Sequence, residues 1–146
     1  QKPAFVVENH HNFAWKENIV IDGQDREVIV HRKGATPAGQ GVLGIIPGSM
    51  GDSGYVVRGK GKNDSINSAS HGAGRLMSRS RARQTITKHL RNAYLKERGI
   101  TLIGGDIDES PQVYKSISDV IKAQSELVDI VGEFKPIMVR MDGKGK

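Results

Sequence analysis

The chain has 146 residues, of which 36% are hydrophobic and 26% charged, and this suits one ordinary domain with a buried core. It contains no cysteine, which excludes disulfide scaffolds, zinc ribbons and cysteine nucleophiles for this chain. The net charge of +6 is concentrated in residues 56–98, where eleven basic residues accompany two acidic ones, a block typical of a solvated helix face or of a site for phosphate or nucleic acid.

The first predicted element is a β-hairpin over residues 18–31. Ile19 and Ile21 alternate with polar residues before Gly23, and two valines alternate in the same way after it. A period of two with glycine at its centre indicates two antiparallel strands joined by a tight turn.

A glycine-dense stretch follows from residue 34 to residue 74. Its apolar runs at 42–46 and 55–57 predict buried strands. Because such runs argue against disorder, a long irregular region of this kind is more typical of a functional site.

Two helices and a strand are predicted in the second half of the chain. Residues 78–98 have a helical period and end at Gly99; their apolar stripe comprises Ile86, Leu90, Ala93 and Tyr94. A second helix is predicted from Ser110, with Pro111 at its first position, to about Gly132; its stripe comprises Val113, Ile117, Val120, Ile121 and Leu127. A final strand over 137–141 completes a mixed α+β fold.

The run Glu8-Asn9-His10-His11-Asn12 places two imidazoles among other polar side chains. Neutral imidazole is a common ligand of manganese, iron and zinc. The spacing matches no standard zinc template, and a lone histidine is more often an ordinary hydrogen-bonded residue. Composition alone leaves both interpretations open.

Residues 47–54, Pro-Gly-Ser-Met-Gly-Asp-Ser-Gly, follow a predicted buried strand. Closely spaced glycines let backbone N–H groups converge on an anion, or let a ligand ring approach the main chain. The same residues also suit a plain tight turn between two strands. The pattern therefore predicts either a ligand-binding loop or a turn.

The segment His71-Gly72-Ala73-Gly74-Arg75 is the most specific of the candidate sites. A histidine nitrogen can attack phosphorus, and small neighbours give a bulky phosphate access to it. Arg75 and Arg79, four residues apart at the predicted helix start, suit the binding of successive phosphates by forked hydrogen bonds. His89, in the middle of that helix, is predicted to be a surface residue.

Four motifs occur in order along the chain: His11-Asn12-Phe13-Ala14, His31-Arg32-Lys33-Gly34-Ala35-Thr36, Pro47-Gly48-Ser49-Met50-Gly51, and Ser70-His71-Gly72-Ala73-Gly74-Arg75 with Ser78-Arg79. In this order they resemble the RtcB-type RNA ligases, a family that seals RNA ends with GTP and manganese. The resemblance covers essentially the whole chain. It implies an RtcB-like fold in which residues 1–146 form the C-terminal portion of one catalytic domain.

The resemblance implies a role for each matched residue. His71 resembles the nucleophile that takes GMP from GTP and passes it to an RNA 3'-phosphate, after which a 5'-hydroxyl attacks and releases GMP. His11 resembles a ligand of one of two manganese ions, and Asn12 a nucleotide contact. The implied guanylate pocket comprises Pro47, Gly48, Ser49, Met50, Gly72, Ala73 and Gly74. The implied contacts to RNA phosphate are Arg75, Arg79 and Lys33.

Two further nucleotide contacts are implied with departures from the family pattern. Gly54 stands where many members carry a serine that touches the nucleotide, and Ser53 lies beside it. Lys144, in the pair Lys144-Gly145, resembles a lysine that reads guanine. The family's catalytic domain is also much longer, so we expect the N-terminal half, with the other metal ligands, to be a partner of this chain.

The expected function is thus an RNA ligase that joins 3'-phosphate or 2',3'-cyclic phosphate ends to 5'-hydroxyl ends in tRNA splicing or RNA repair. The alternative is a catalytically inactive fragment that acts only as a basic RNA-binding module. No apolar run approaches the roughly 20 residues that span a membrane, and the first residues lack the features of a signal peptide. We therefore expect a cytoplasmic protein without a membrane partner.

Overall fold

A computed structural model describes residues 3, 6–10 and 12–142. Within them the fold is mixed α+β, as predicted. The strands are β1 (Asn12–Ile21), β2 (Gln24–Lys33), β3 (Ala35–Pro37), β4 (Leu43–Ile46), β5 (Gly54–Gly59), β6 (Ser68–Ser70), β7 (Thr101–Ile103), β8 (Val128–Phe134) and β9 (Met138–Arg140). The α-helices are α1 (Arg79–Thr85), α2 (Lys88–Glu97) and α3 (Ile117–Ala123), and single 3₁₀ turns cover Asn63–Ser65, Ile107–Glu109 and Pro111–Val113.

The hairpin of β1 and β2 is confirmed, and it is longer than the predicted 18–31. Its register runs from Ile21 opposite Gln24 to Asn12 opposite Lys33. Asp22 (φ 51°) and Gly23 (φ 74°) form the turn, and two consecutive positive φ values match the twist of antiparallel strands.

The central sheet has the order β4-β5-β8, with both pairs antiparallel. The strands predicted over 42–46 and 55–57 are therefore confirmed. Side chains from this sheet, from α3 and from three alanines of β6 and neighbouring loops form the main buried cluster, which comprises Ala38, Ile46, Tyr55, Val57, Ala69, Ala73, Ile117, Ile121 and Val128.

The single helix predicted from Ser110 to Gly132 is wrong. Pro111–Val113 is only a 3₁₀ turn, and the hydroxyl of Ser110 caps nothing there. Ser116 caps α3 instead by accepting from the Asp119 N–H, and β8 begins soon after α3 ends. The apolar residues of this segment resemble one helical stripe in the sequence. In the structure they belong in succession to a 3₁₀ turn, to α3 and to the start of β8, which pack against the same core.

The single helix predicted over 78–98 is broken at Ile86 and Thr87. Both residues are extended, and the Thr87 hydroxyl caps α2 by accepting from the Leu90 N–H at 3.2 Å. Three consecutive β-branched residues, 85–87, disfavour a continuous helix here. The buried residues of the two helices are Ala82, Arg91 and Leu95, whereas Leu90, assigned to the apolar stripe, is 50% exposed.

The predicted end at Gly99 is confirmed, with φ at 67°, and so is the final strand, which pairs in parallel with β7. A second buried cluster of Met50, Leu95 and Ile100 joins α2 to this small sheet. In the part of the chain that the structure describes, no helix is long and apolar enough to cross a membrane.

Candidate active site

His71 follows β6 directly, and the pairing of β6 with β3 fixes its position. Ala35 lies opposite Ser70, so His71 comes to lie beside Gly34, and its N–H points to the Gly34 carbonyl at 3.5 Å. A β-carbon built on Gly34 would be 3.6 Å from His71 Cε1. The motif that contains Lys33 and Gly34 and the motif that contains His71 are therefore neighbours in space.

The loop between β4 and β5, residues 47–53, is closed on itself by hydrogen bonds. Gly48 donates from its N–H to the Ser53 carbonyl at 3.0 Å, and Asp52 donates to the Ser49 carbonyl at 3.1 Å. A β-carbon on Gly48 would lie 2.4 Å from the Ser53 carbonyl oxygen, so only glycine fits at this closure. The tight turn considered in the sequence is thus present.

This loop meets the histidine motif and encloses a cavity of about 660 Å³ with it. A β-carbon on Gly72 would be 3.4 Å from the Pro47 carbonyl oxygen, which shows how closely the two segments approach. The predicted site residues that line the cavity are Pro47, Gly48, Ser49, Met50, Gly54, His71, Gly72, Ala73, Gly74, Arg75 and Arg79. A volume of this size is typical of a pocket for a nucleotide-sized ligand.

Gly54 borders the cavity, but the space above it is filled. A β-carbon there would be 2.3 Å from Phe134 Cζ, because the ring of β8 lies over the glycine. Ser53, its neighbour, is not among the residues that line the cavity, and its hydroxyl donates to Glu133 at 2.6 Å. The space that a serine side chain at position 54 would occupy is therefore filled while Phe134 keeps this rotamer.

The predicted site residues outside the cavity are Asn12, Lys33, His11 and Lys144. Asn12 and Lys33 face each other across the open end of the hairpin, where both are exposed. Lys33 immediately precedes Gly34, so it lies near the His71 side of the molecule without lining the cavity. His11 and Lys144 lie outside the described residues.

Arg75 is held by acceptors on every side of its guanidinium group. It donates to the Met77 carbonyl at 3.1 Å, to the Asp108 carbonyl at 2.6 Å and to Tyr114 Oη at 3.3 Å. The sequence analysis placed Arg75 at the start of the helix, but Arg75 forms an isolated β-bridge with Tyr114. Helix α1 begins at Arg79, with Ser78 as its cap. Arg75 thus places a positive charge in the cavity wall and also holds neighbouring segments of that wall together.

Arg79 is much more exposed, at 69% of its side chain, and is held by two carboxylates of the turn Ile107–Glu109. Its guanidinium lies 3.4 Å from Asp108 Oδ2 and 3.3 Å from Glu109 Oε1. Asp108 is 1% exposed and also pairs with Arg83 at 3.2 Å. This buried carboxylate therefore pairs with two arginines of α1, of which Arg79 lines the cavity.

Glu109 and Tyr114 are among the cavity residues that the sequence interpretation missed. The Tyr114 hydroxyl donates to Glu109 Oε2, and burial, followed by this hydrogen bond and the charge of Glu109, raises the pKa of Tyr114 to about 12. The phenol is therefore a stable donor at neutral pH. The sequence interpretation missed Tyr114 because the long helix that it predicted placed this residue in a helical turn, whereas Tyr114 forms a β-bridge with Arg75.

Manganese is not supported by the side chains that the structure describes. Among them there is no group of three or more His, Cys, Asp or Glu residues that could hold a metal ion. His11, the predicted ligand, is not among them.

Comparison with known proteins bears on the whole chain. The family model for the tRNA-splicing ligase RtcB matches residues 2–142. The chain is 40% identical over 132 residues to the RNA-splicing ligase RtcB of Escherichia coli (strain K12), which covers 88% of this chain and 31% of that protein. It is 39% identical over 146 residues to the RNA-splicing ligase RtcB of Mycobacterium tuberculosis (strain H37Rv), which covers 87% of this chain and 34% of that protein.

An archaeal relative is similar to the same extent. The chain is 38% identical over 157 residues to the tRNA-splicing ligase RtcB of Nanoarchaeum equitans (strain Kin4-M), and the match covers 92% of this chain and 32% of that protein. The chain spans about a third of the length of the curated relatives it matches. Because the family model matches nearly every residue from one end to the other, the chain belongs to the RtcB family.

Proposed function

We propose that this chain carries the guanylate-accepting histidine and the RNA-end site of an RNA ligase. The observation that supports this most directly is the shared cavity, in which His71, the glycine-rich loops and two arginines of the predicted site line one space of about 660 Å³. Membership of a family whose relatives are named RNA-splicing ligases supports the same proposal.

In the proposed reaction, an imidazole nitrogen of His71 attacks the α-phosphorus of GTP. A P–N bond forms as the α–β P–O bond breaks, and pyrophosphate leaves. An oxygen of an RNA 3'-phosphate next displaces the imidazole from that phosphorus. The 5'-hydroxyl of a second RNA end then attacks the RNA phosphorus and loses its proton, and GMP leaves.

The residues of the cavity suit the positioning and charge stabilisation that phosphoryl transfer requires. Gly72 and Gly74 leave room beside the imidazole, and Gly74 has φ at 73° with nothing within 4 Å of a built β-carbon. Arg79 offers exposed donors to an RNA-end phosphate, while Arg75 keeps Tyr114 and the turn Ile107–Glu109 in place.

Manganese is proposed on the family resemblance alone. The chain spans about a third of its relatives, and we therefore propose that the N-terminal half of the family's catalytic domain is its partner. Joining of RNA ends is proposed for the two together.

The test is transfer of label from GTP radiolabelled at its α-phosphate, in the presence of manganese. The chain is incubated alone and with the segment of the Escherichia coli relative that lies outside the match. We expect acid-labile label on this chain. It should be absent from His71→Ala and retained by His89→Ala, a matched control on the exposed face of α2.

Failure of the wild-type chain to take label under both conditions would overturn the proposal. Label that persists in His71→Ala would place the nucleophile elsewhere. If label is absent but RNA still binds, the inactive RNA-binding alternative is the better description.

A further inference from the structure

We propose that Tyr94 of α2 is a remote positioning residue for the cavity loop, and that it sets the affinity for the guanine nucleotide through Asp52 and Ser49. The identity of the ligand rests on the proposed function. Tyr94 itself is absent from the described lining of the cavity, whereas Asp52 and Ser49 belong to it.

The carboxylate of Asp52 connects the helix to the loop. The Tyr94 hydroxyl donates to Asp52 Oδ1 at 3.1 Å, and the Ser49 hydroxyl donates to Asp52 Oδ2. Ser49 Oγ in turn accepts from the Gly51 N–H at 3.2 Å. The Asp52 side chain thus accepts from Ser49 of the cavity loop on one oxygen and from Tyr94 of α2 on the other.

Packing at the tip of the loop reinforces this connection. A β-carbon on Gly51 would be 2.7 Å from Tyr94 Cε1 and 2.8 Å from Pro111 Cγ. Gly51 therefore lies in a slot between these two rings, and the loop cannot shift toward α2. The hydrogen bond from Tyr94 to Asp52 opposes movement of the loop in the other direction, toward the cavity.

Tyr94 is well suited to this task because its own position is fixed. The Arg98 guanidinium lies 3.5 Å from the centroid of the Tyr94 ring, and Arg98 also donates to the Tyr94 carbonyl at 3.3 Å. Burial, and after it the charge of Asp52, raises the pKa of Tyr94, so the hydroxyl keeps its proton at neutral pH. It is a permanent donor toward Asp52.

The decisive variant is Tyr94→Phe, which keeps the ring against Gly51 and removes only the hydroxyl. We expect KM for GTP in the labelling of His71, and Kd for a fluorescent GTP analogue, to rise about three- to tenfold. The rate of labelling at saturating GTP should stay within about twofold of wild type. If the Tyr94 hydroxyl had a purely structural role, its loss would lower the stability of the protein but would not raise KM while leaving kcat nearly unchanged.

The matched control is Tyr55→Phe. Tyr55 borders the same depression as Tyr94 and is 9% exposed, but its hydroxyl makes no hydrogen bond within the described residues. Its loss should leave KM unchanged. In an Asp52→Asn background, Tyr94→Phe should have a smaller effect than in the wild type, because the two residues act through one contact.

Amide hydrogen exchange provides a readout that does not depend on ligase chemistry. Exchange at Gly51 and Asp52, whose N–H groups close the loop, should be faster in Tyr94→Phe than in Tyr55→Phe. Equal exchange in the two variants, or an unchanged KM in Tyr94→Phe, would overturn the proposal. If the wild-type chain takes no label from GTP but exchange is still faster in Tyr94→Phe than in Tyr55→Phe, the positioning role of Tyr94 stands and the proposed function is removed.

Discussion

The guanidinium of Arg32 and the carboxylate of Glu17 form a two-pronged ion pair on the inner face of the hairpin, with Arg32 Nη2 donating to Glu17 Oε2 at 2.9 Å. Arg32 is 3% exposed and also donates to Ser68 Oγ at 2.8 Å and to the Ile66 carbonyl at 2.9 Å. Because side chains alternate along a strand, its neighbour Lys33 is exposed. Arg32 and Lys33, although adjacent in one motif, therefore differ in environment: Arg32 is buried and Lys33 faces solvent.

This pair predicts the effect of Arg32→Leu. The change removes one partner of a largely buried ion pair and leaves the Glu17 carboxylate without its partner, so we expect a loss of about 3–5 kcal/mol in the free energy of unfolding. Urea denaturation measures it. Arg26→Ala, at the exposed end of the same strand, should stay within about 0.5 kcal/mol of wild type. Similar values for both variants would contradict an anchoring role for Arg32.

Gly34→Ala separates backbone strain from contact with the nucleophile. The residue has φ at 73°, which costs an alanine about 1–2 kcal/mol. The added methyl would be 3.6 Å from His71, an ordinary van der Waals distance. We therefore expect a lower free energy of unfolding, with label transfer to His71 unchanged per folded molecule. Gly132→Ala, where a β-carbon meets nothing within 4 Å, is the control. Loss of labelling in folded Gly34→Ala would show that the methyl displaces the imidazole.

Gly54→Ser tests the departure from the family pattern. The new side chain would meet Phe134 at 2.3 Å, so the ring must leave the cavity wall, and we expect a loss of about 1–3 kcal/mol in the free energy of unfolding. In Gly54→Ser combined with Phe134→Ala, the cost should be smaller than the sum of the two single changes. Strict additivity would mean that the ring does not occupy the space of the serine.

Tyr114 predicts a loss of stability at high pH. Its folded-state pKa is about 12 against an ordinary value of 10.0, so between these values the native state retains a proton that the unfolded chain gives up. The contribution to stability is complete below pH 10 and disappears as the pH rises through about 12. Tyr114→Phe should therefore lose less stability over this interval than wild type.

Phenolate absorbance provides an independent measurement of the same group. Subtracting the titration of Tyr114→Phe from that of wild type isolates one phenol, which should titrate near pH 12. A difference curve centred at the ordinary value of 10.0 would contradict the contact with Glu109.

The sequence predicted those parts of the fold that depend on local chemistry. The turn at Gly23, the helix start near residue 78 and the helix end at Gly99 each follow from residues adjacent in the chain, and each is confirmed. The helix predicted to reach Gly132 failed because β8 is defined by its pairing with β5, more than sixty residues earlier in the chain. A helical period cannot distinguish such a strand from the helix before it.

The candidate site shows the same division. The glycine and histidine motifs were recognisable from the sequence, and the structure brings them into one cavity. Glu109 and Phe134 were not recognisable, since an acidic residue near a predicted cap and an aromatic residue after a glycine carry no signal of their own. Only the pairing of β8 with β5 places Phe134 over Gly54.

The interior position of Arg91 changes what the basic segment 56–98 can offer to RNA. Arg91 is 7% exposed and donates to the Gly105 carbonyl at 2.9 Å, while arginines of α1 are already paired with Asp108 and Glu109 from outside that segment. Binding of a nucleic acid releases one condensed counterion for each phosphate that a free cation neutralises. The salt dependence of RNA affinity should therefore correspond to far fewer charges than the eleven written in the sequence.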